Sequence, residues 1–282
     1  MVKVLDIGCG PGIATRQIAA YFQHVAGIDA GESMIAKAKE TDCFSATGEQ
    51  ASFSICNSED IDKHFEPESI DLITIATAAH WFDMPAFYTA AAKVLKPSGT
   101  IAMWCGGSWY VDPVTTPNAA AVQAQWDKLE IEILQPFEKR GNRMCRELYR
   151  HLIMPWSYPA DLELTPEMKA AFEMYDESQS MRREFNVDGK PDPDPMLAED
   201  KGFVKAMRSS FKLAKQVIGT ASQVTRWREA HKEELEKGEI EDCVDHMLRR
   251  TYEEMEKDPE GKDREWVDVV IAMVLIMVKK KA

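Results

Sequence analysis

The sequence predicts an α/β protein built on a doubly wound, largely parallel sheet. Between residues 2 and 104, short apolar runs alternate with segments of helical periodicity, which gives the order βαβαβαβαβ. The first run, Val2–Ile7, is mostly apolar, as expected for a parallel strand buried on both faces. A glycine-rich turn and a helical pattern follow it at once. In such sheets ligands bind at the carboxyl ends of the strands, so we expect the functional residues there.

Composition narrows the class of function. The chain has 282 residues and a formal net charge of −13, from 34 basic and 47 acidic side chains. A phosphate backbone or an anionic membrane needs a basic face, so neither nucleic acid nor a membrane is the expected partner. The longest apolar run, residues 269–278, is shorter than the roughly 20 residues of a bilayer span. The scattered cysteines lack zinc-site spacing, and we expect reduced thiols, no metal and a cytoplasmic location.

The glycine-rich turn carries the strongest local signal. It reads Asp-x-Gly-x-Gly-x-Gly, with Asp6 preceding Gly8, Gly10 and Gly12. A dinucleotide-binding fingerprint requires Gly-x-Gly-x-x-Gly, but here Ile13 stands where that fingerprint has its third glycine. The strand, glycine loop and helix are typical of a unit that binds the adenosine end of a cofactor, and the spacing of the glycines disfavours a dinucleotide.

These residues resemble motif I of the class I S-adenosylmethionine-dependent methyltransferases. A second match follows the predicted fourth strand, where His80-Trp81-Phe82 resembles the signature of the type 11 methyltransferases, in the branch of trans-aconitate methyltransferase-like enzymes. The resemblance is specific over residues 2–105. It implies a Rossmann-like sheet of seven strands with a helical cap in the carboxyl-terminal half. It also implies S-adenosylmethionine as cofactor, which has no pyrophosphate and carries an ammonium group that a nearby carboxylate would attract.

Two further cofactor contacts are predicted around the second strand, which ends in Asp29. An acid in this position accepts hydrogen bonds from ribose hydroxyl groups in both methyltransferases and dehydrogenases. The alternative is that Asp29 caps the helix that starts near Gly31. In that helix, Met34 resembles the family residue that packs near the adenine.

A polar group follows the predicted third strand and consists of Asn57, Ser58 and Glu59. At the end of a parallel strand these side chains would face the edge of the adenine. The group resembles the acid-containing turn of the family, in which aspartate is commoner than the asparagine found here. The alternative is a capped helix that begins at Ser58, and both interpretations can hold together.

The fourth strand is predicted to lead into the reaction space. The small residue Ala76 leaves room for the methionine part of the cofactor, and His80 and Trp81 follow beyond the strand. We expect these two to be the catalytic residues, with His80 as the candidate proton acceptor. A single histidine is also often structural, so that alternative stays open.

The sequence divides into three predicted parts. Residues 1–110 form the cofactor-binding core, and residues 111–262 form a mostly helical region that covers the substrate and includes a strand near 180–187. Residues 263–282 form a final antiparallel strand that returns to the sheet, and its terminal lysines are expected to form a solvated tail.

Within the helical region we expect helices over residues 118–137, 203–236 and 239–257. Arg143, Arg146 and Arg150 have the spacing of one helical face, which would hold a carboxylate or be solvated.

The predicted function is direct transfer of a methyl group to a small molecule, at a carboxylate or hydroxyl oxygen. The helical half of the chain would enclose such an acceptor. Two alternatives belong to other classes. One is a non-methylating protein of the same fold, either a binding module or a secondary-metabolism cyclase. The other is a nicotinamide-dependent oxidoreductase, which the spacing of the glycines disfavours.

Overall fold

The computed structural model describes residues 2–190 and 206–282. The strands are β1 (Lys3–Ile7), β2 (His24–Asp29), β3 (Ser52–Ile55), β4 (Ile70–Ala76), β5 (Leu95–Val111), β6 (Tyr175–Phe185), β7 (Met207–Ser210) and β8 (Trp266–Lys280). The α-helices are α1 (Ile13–Ala19), α2 (Glu32–Lys39), α3 (Met84–Val94), α4 (Ala119–Asp127), α5 (Arg140–Arg146), α6 (Pro166–Glu173), α7 (Phe211–Ile218), α8 (Ser222–Ala230), α9 (Lys232–Lys237) and α10 (Cys243–Met255).

The described strands form one eight-stranded sheet in the order β3-β2-β1-β4-β5-β8-β6, with β7 paired to β8. The first five strands pair in parallel, so their carboxyl ends share one edge of the sheet. The α/β class and the Rossmann-like sheet are confirmed, and the strand β7 adds to the seven that were predicted.

The centre of the sheet shows why its first strand is so apolar. Val4 and Leu5 have no exposed surface and Ile7 has 1%. β1 is hydrogen-bonded on both sides, to β2 and β4, and layers of helices cover such a sheet on both faces. A strand in this position tolerates few polar residues, and its one acid, Asp6, is fully buried.

The last strand, β8, lies between β5 and β6. The expectation of a solvated lysine tail is wrong for Lys280, which is only 4% exposed. Its Nζ donates hydrogen bonds of 2.8 and 2.6 Å to the carbonyls of Ala92 and Leu95. These carbonyls lie at the carboxyl-terminal end of α3, where backbone acceptors lack helical partners and a cation is favoured. The charge is therefore buried because it caps a helix.

Contacts divide the chain into two compact units. Unit 1 contains residues 1–105, 149–183 and 274–282, and unit 2 contains residues 106–148 and 184–273. Unit 1 holds the strands that carry the predicted cofactor residues. It also holds residues 149–183, which the sequence analysis assigned to the helical region.

Unit 2 has its own hydrophobic core, whose centre includes Val122, Trp126 and Met247. The helix expected over residues 118–137 continues past α4 as a π-helix, Lys128–Leu134, and a short 3₁₀ turn. The single helix expected over residues 203–236 is wrong. Its first residues, 203–205, lie outside the described part, and the rest forms β7 and the helices α7, α8 and α9.

The prediction that Arg143, Arg146 and Arg150 share one helical face is also wrong. α5 ends at Arg146 because Leu148 and Tyr149 have φ of 53° and 56°, which a right-handed helix cannot contain. Arg146 pairs with Glu138, at 2.9 Å. Arg150 belongs to the other unit.

None of the helices in residues 2–190 and 206–282 combines the length with the apolar character that a bilayer span requires.

Replacing Lys280 with methionine should lower the free energy of unfolding by about 2 kcal/mol. The change keeps most of the apolar stem but leaves the buried carbonyls of Ala92 and Leu95 without their charged donor. Chemical denaturation would measure the difference. Lys281→Met is the control, because Lys281 is exposed and its hydrogen bond to Glu173 lies at the surface. Equal stability of the two variants would contradict the capping role of Lys280.

Candidate cofactor and active site

The glycine loop connects the end of β1 to the start of α1. Gly8, Gly10 and Gly12 have φ of 65°, 54° and 80°, in the left-handed region that side chains rarely adopt. The amide of Cys9 between them donates to the carbonyl of Ile28 at 2.9 Å, which holds the loop against β2.

Two of these glycines have different surroundings. A Cβ on Gly8 would lie 2.4 Å from the Cβ of Ala78, so that glycine allows the loop to pack against the segment after β4. A Cβ on Gly10 would meet no atom within 4 Å. The backbone of Gly10 therefore borders open space, and a ligand can approach it closely.

Asp29 joins this loop to the start of α2. Its Oδ2 accepts a hydrogen bond from the amide of Gly10 at 2.9 Å, and its Oδ1 accepts one from the amide of Gly31 at 2.8 Å. The N-cap of α2 is Gly31, and no side chain caps that helix. Each carboxylate oxygen retains a second acceptor position, so Asp29 can accept from ribose hydroxyl groups while it holds the loop.

Asp6 lies beneath the loop. It is fully buried, and its carboxylate accepts hydrogen bonds from the hydroxyl of Thr15 at 2.5 Å and of Thr74 at 2.8 Å. Burial raises the pKa of Asp6, and the two hydroxyl donors oppose that rise. Asp6 thus braces α1 and β4 against β1. Its expected attraction for a ligand ammonium stays a prediction.

The polar group after β3 forms a 3₁₀ turn that begins at Ser58, so the helical start considered for this residue is present. Asn57 precedes the turn without capping it, and its amide nitrogen donates to Asp60 at 3.4 Å. Glu59 accepts from the amide of Asp83 at 2.8 Å, which ties this turn to the segment after β4. Contact of the group with an adenine stays a prediction.

Met34 and Ala76 occupy accessible positions in unit 1. Met34 lies in the first turn of α2 and is 44% exposed, so its thioether is available to a ligand. Ala76 is the last residue of β4 and is partly exposed.

His80 and Trp81 lie in a 3₁₀ turn after β4. The Nδ1 of His80 is 2.9 Å from the hydroxyl oxygen of Tyr149, and this hydrogen bond orients the imidazole. The ring of Trp81 lies 4.9 Å from that of His80 and is 71% exposed. Tyr149 is itself buried. Sequence reasoning missed Tyr149, because its partner is 69 residues away and no local pattern marks it.

Tyr149 also lines a cavity of about 410 Å³ in unit 1. Its hydroxyl at the same time holds His80. The cavity brings together the side chains of Arg150 and Arg182 with the carboxylate of Glu177. Apolar surface comes from Met154, Trp156 and Ile276 among others. Among the described residues there is no cluster of three or more histidine, cysteine or acidic side chains that could hold a metal.

Residues 1–133 match the family model for a methyltransferase domain. A candidate methyltransferase of Dictyostelium discoideum is 35% identical over 118 residues, which cover 42% of this chain and 40% of that protein. CRG1 of Saccharomyces cerevisiae, named as a probable S-adenosylmethionine-dependent methyltransferase, is 31% identical over 130 residues, which cover 45% and 43%. The chain thus spans about two fifths of the length of these curated relatives.

A solved structure resembles the fold of this chain over a longer stretch than the sequence matches cover. The solved structure of a candidate type II methyltransferase from Anaeromyxobacter dehalogenans covers 99% of this chain and 88% of its own. The TM-score is 0.58 at 20% sequence identity.

Residues 1–133 therefore match a methyltransferase domain, and the motifs within them are similar to those of the class I S-adenosylmethionine-dependent enzymes. S-adenosylmethionine is the cofactor of this class. The matches do not single out the trans-aconitate branch. The geometry fits the cofactor, because Gly10 borders open space and Asp29 offers acceptor positions beside it.

Gly10→Ala should weaken binding of S-adenosylhomocysteine by about tenfold or more, because the added methyl group would fill the space beside the loop. The left-handed backbone should cost only about 1–2 kcal/mol of stability. Calorimetry and thermal unfolding would measure the two effects.

Gly48→Ala is the matched control. Gly48 has a φ of 80° and open space around its Cβ position, but it lies between α2 and β3, away from the glycine loop. It should lose similar stability and keep its affinity. Equal affinity in both variants would contradict the placement of the cofactor at Gly10.

Proposed function

We propose that this protein transfers the methyl group of S-adenosylmethionine to a carboxylate or hydroxyl oxygen of a small molecule. The observation that carries the proposal is the shared sheet edge. There the glycine loop and Asp29 follow β1 and β2, and His80 and Trp81 follow β4. The residues predicted to hold the cofactor and the candidate proton acceptor His80 therefore follow strands whose carboxyl ends share one edge, where open α/β sheets bind their ligands.

In this proposal the glycine loop and Asp29 hold the adenosine part of the cofactor. Asp29 would accept from the ribose hydroxyl groups, and the exposed thioether of Met34 would pack against the adenine. Asn57, Ser58 and Glu59 would border the edge of the adenine. Gly8, Gly12 and Ala76 would border the methionine part of the cofactor.

The bound cofactor supplies a methyl group that is already electrophilic, because it is attached to a sulfonium. The remaining work of the chain is to hold the acceptor oxygen in line with the bond that breaks. Positioning of this kind can contribute about 7–11 kcal/mol to lowering the barrier. His80 and Trp81 would form one wall of the space in which the acceptor is held.

The role of His80 depends on the acceptor. A carboxylate is a nucleophile as it stands, so no proton has to move. A hydroxyl group must lose its proton as the new carbon–oxygen bond forms, and His80 is the group we assign to take it. Tyr149 would act as a positioning residue, because its hydroxyl holds the imidazole through Nδ1.

The cavity lined by Tyr149 is an argument for an acceptor that carries a carboxylate. Its guanidinium groups, on Arg150 and Arg182, can bind a carboxylate through two parallel hydrogen bonds. The carboxylate of Glu177 lies in the same cavity and would disfavour a ligand with more than one negative charge. The net charge of −13 disfavours nucleic acid as the substrate and is compatible with a small-molecule acceptor.

Asp29→Ala should weaken binding of S-adenosylhomocysteine by about 10- to 100-fold, because it removes charged hydrogen-bond acceptors. Calorimetry would measure the change. Asp42→Ala is the control, since Asp42 is exposed in the loop after α2. Unchanged affinity in Asp29→Ala would show that the ribose is held elsewhere. If NAD binds tightly to the unmodified protein and S-adenosylmethionine does not, the proposed function is wrong.

His80→Ala should lower turnover of a hydroxyl acceptor by about 100-fold and leave affinity for S-adenosylmethionine within about threefold. Turnover would be followed as release of S-adenosylhomocysteine across a panel of small carboxylic acids and phenols. Tyr149→Phe should have a smaller effect in the same direction, because it removes only the partner of the imidazole.

His64→Ala is the control, because His64 is an exposed histidine in unit 1. If His80→Ala turns over phenols normally, His80 is not the proton acceptor. If the unmodified protein binds the cofactor but releases no product with any acceptor, the binding-module or cyclase alternative is favoured.

A further inference from the structure

Unit 2 contains a cavity that the proposed function does not use. It measures about 320 Å³ and lies beside the hydrophobic core of that unit. Its walls are mainly apolar and include two indole rings, from Trp109 and Trp126, together with Leu129 and Met247. A concave, mainly apolar surface with aromatic side chains is typical of small-molecule sites.

One carboxylate interrupts this apolar wall. Glu130 lines the cavity and is only partly exposed, and its Oε1 accepts a hydrogen bond of 2.8 Å from the hydroxyl of Ser108. Ser108 supplies the one hydrogen bond to this carboxylate among the contacts of the described residues. Burial raises the pKa of Glu130, since the apolar surroundings disfavour its charge.

An unusual helix places this carboxylate. Glu130 belongs to the π-helix Lys128–Leu134, whose hydrogen bonds join residues five apart. Leu129 and Leu134, which are also five residues apart, are both 5% exposed and belong to the core. Glu130 follows Leu129 directly and lines the cavity. π-helices are rare and frequently occur at functional sites.

The charges around Glu130 favour a cation. Asp127 and Glu138 add negative potential, and Arg146 is the nearby cation that opposes it. Arg146 is already engaged by Glu138 through hydrogen bonds of 2.9 and 3.1 Å. An ammonium group would stabilise the carboxylate that burial disfavours, and the indole faces would favour the same charge through cation–π contacts.

We propose that the cavity of unit 2 binds a small aromatic amine, with its ring between Trp109 and Trp126 and its ammonium group at Glu130. Two other polar groups of the cavity have partners within the chain. The Nε1 of Trp126 donates to Thr251 at 3.0 Å, and the Oε1 of Gln223 accepts from Asn142 at 2.8 Å. Glu130 is the charged residue that lines this cavity and would select the ligand, and the indole rings would add stacking and cation–π contacts.

The test uses three probes that share one ring and differ in charge: 2-phenylethylamine, 2-phenylethanol and 3-phenylpropionate. Calorimetry on the full chain, without S-adenosylmethionine, should give the highest affinity for the amine, a lower affinity for the alcohol and the lowest for the carboxylate. Because these measurements use the unmodified protein, they do not depend on whether any variant folds. They are also independent of whether the chain transfers methyl groups.

A matched pair of variants then tests Glu130. Glu130→Gln keeps an acceptor for Ser108 and should lower affinity for the amine by about tenfold or more, because the charged partner is lost, while the alcohol changes by less than about threefold. Glu132→Gln, an exposed position in the same π-helix, should change neither.

The proposal is overturned if no probe binds at millimolar concentration. It is also overturned if the carboxylate binds as tightly as the amine, or if Glu130→Gln leaves the preference for the amine intact.

Discussion

The carboxylate of Asp6, buried without any exposed surface, is the interaction on which the rest of the cofactor site depends. It receives hydrogen bonds from Thr15 in α1 and from Thr74 in β4, so one side chain joins three elements around β1. A buried carboxylate without donors would cost several kcal/mol, so the two threonines are a condition for an acid at this position. The glycine loop can then turn over it in a left-handed conformation.

Above this brace, the site is assembled from segments that are distant in sequence. Asp29 connects the loop to α2, Glu59 connects the turn after β3 to Asp83, and His80 is held by Tyr149. Each connection runs between an acid or an imidazole and a group on another segment. The loops at the sheet edge are thereby positioned relative to one another by hydrogen bonds, and rigid placement of this kind is what an in-line displacement requires.

The predictions from sequence that failed, and the residue that they missed, concern features that the neighbouring residues do not determine. Three arginines at helical spacing suggested one face, but positive φ at Leu148 and Tyr149 ends α5, and no local pattern announces it. The terminal lysines looked like a solvated tail, yet Lys280 finds the open carbonyls at the end of α3. No sequence pattern indicated Glu130 as a candidate ligand-binding residue. Its place in the cavity depends on a π-helix and on side chains that folding brings together. For Lys280 and Glu130 the deciding contacts join residues that are distant in sequence, which local propensity does not encode.

What the sequence determined by itself was the amino-terminal sheet and its ligand class. Continuous apolar runs dictate buried parallel strands, and Gly8, Gly10 and Gly12 with Asp6 specify a turn whose backbone a ligand can approach. Those patterns are local, because an apolar run and a glycine-rich turn are each made of residues that are neighbours in the sequence. The tertiary structure alone decided which distant side chains meet. It paired His80 with Tyr149, buried Lys280 and gave Glu130 an apolar cavity, because contacts across tens of residues follow from packing that no short segment encodes.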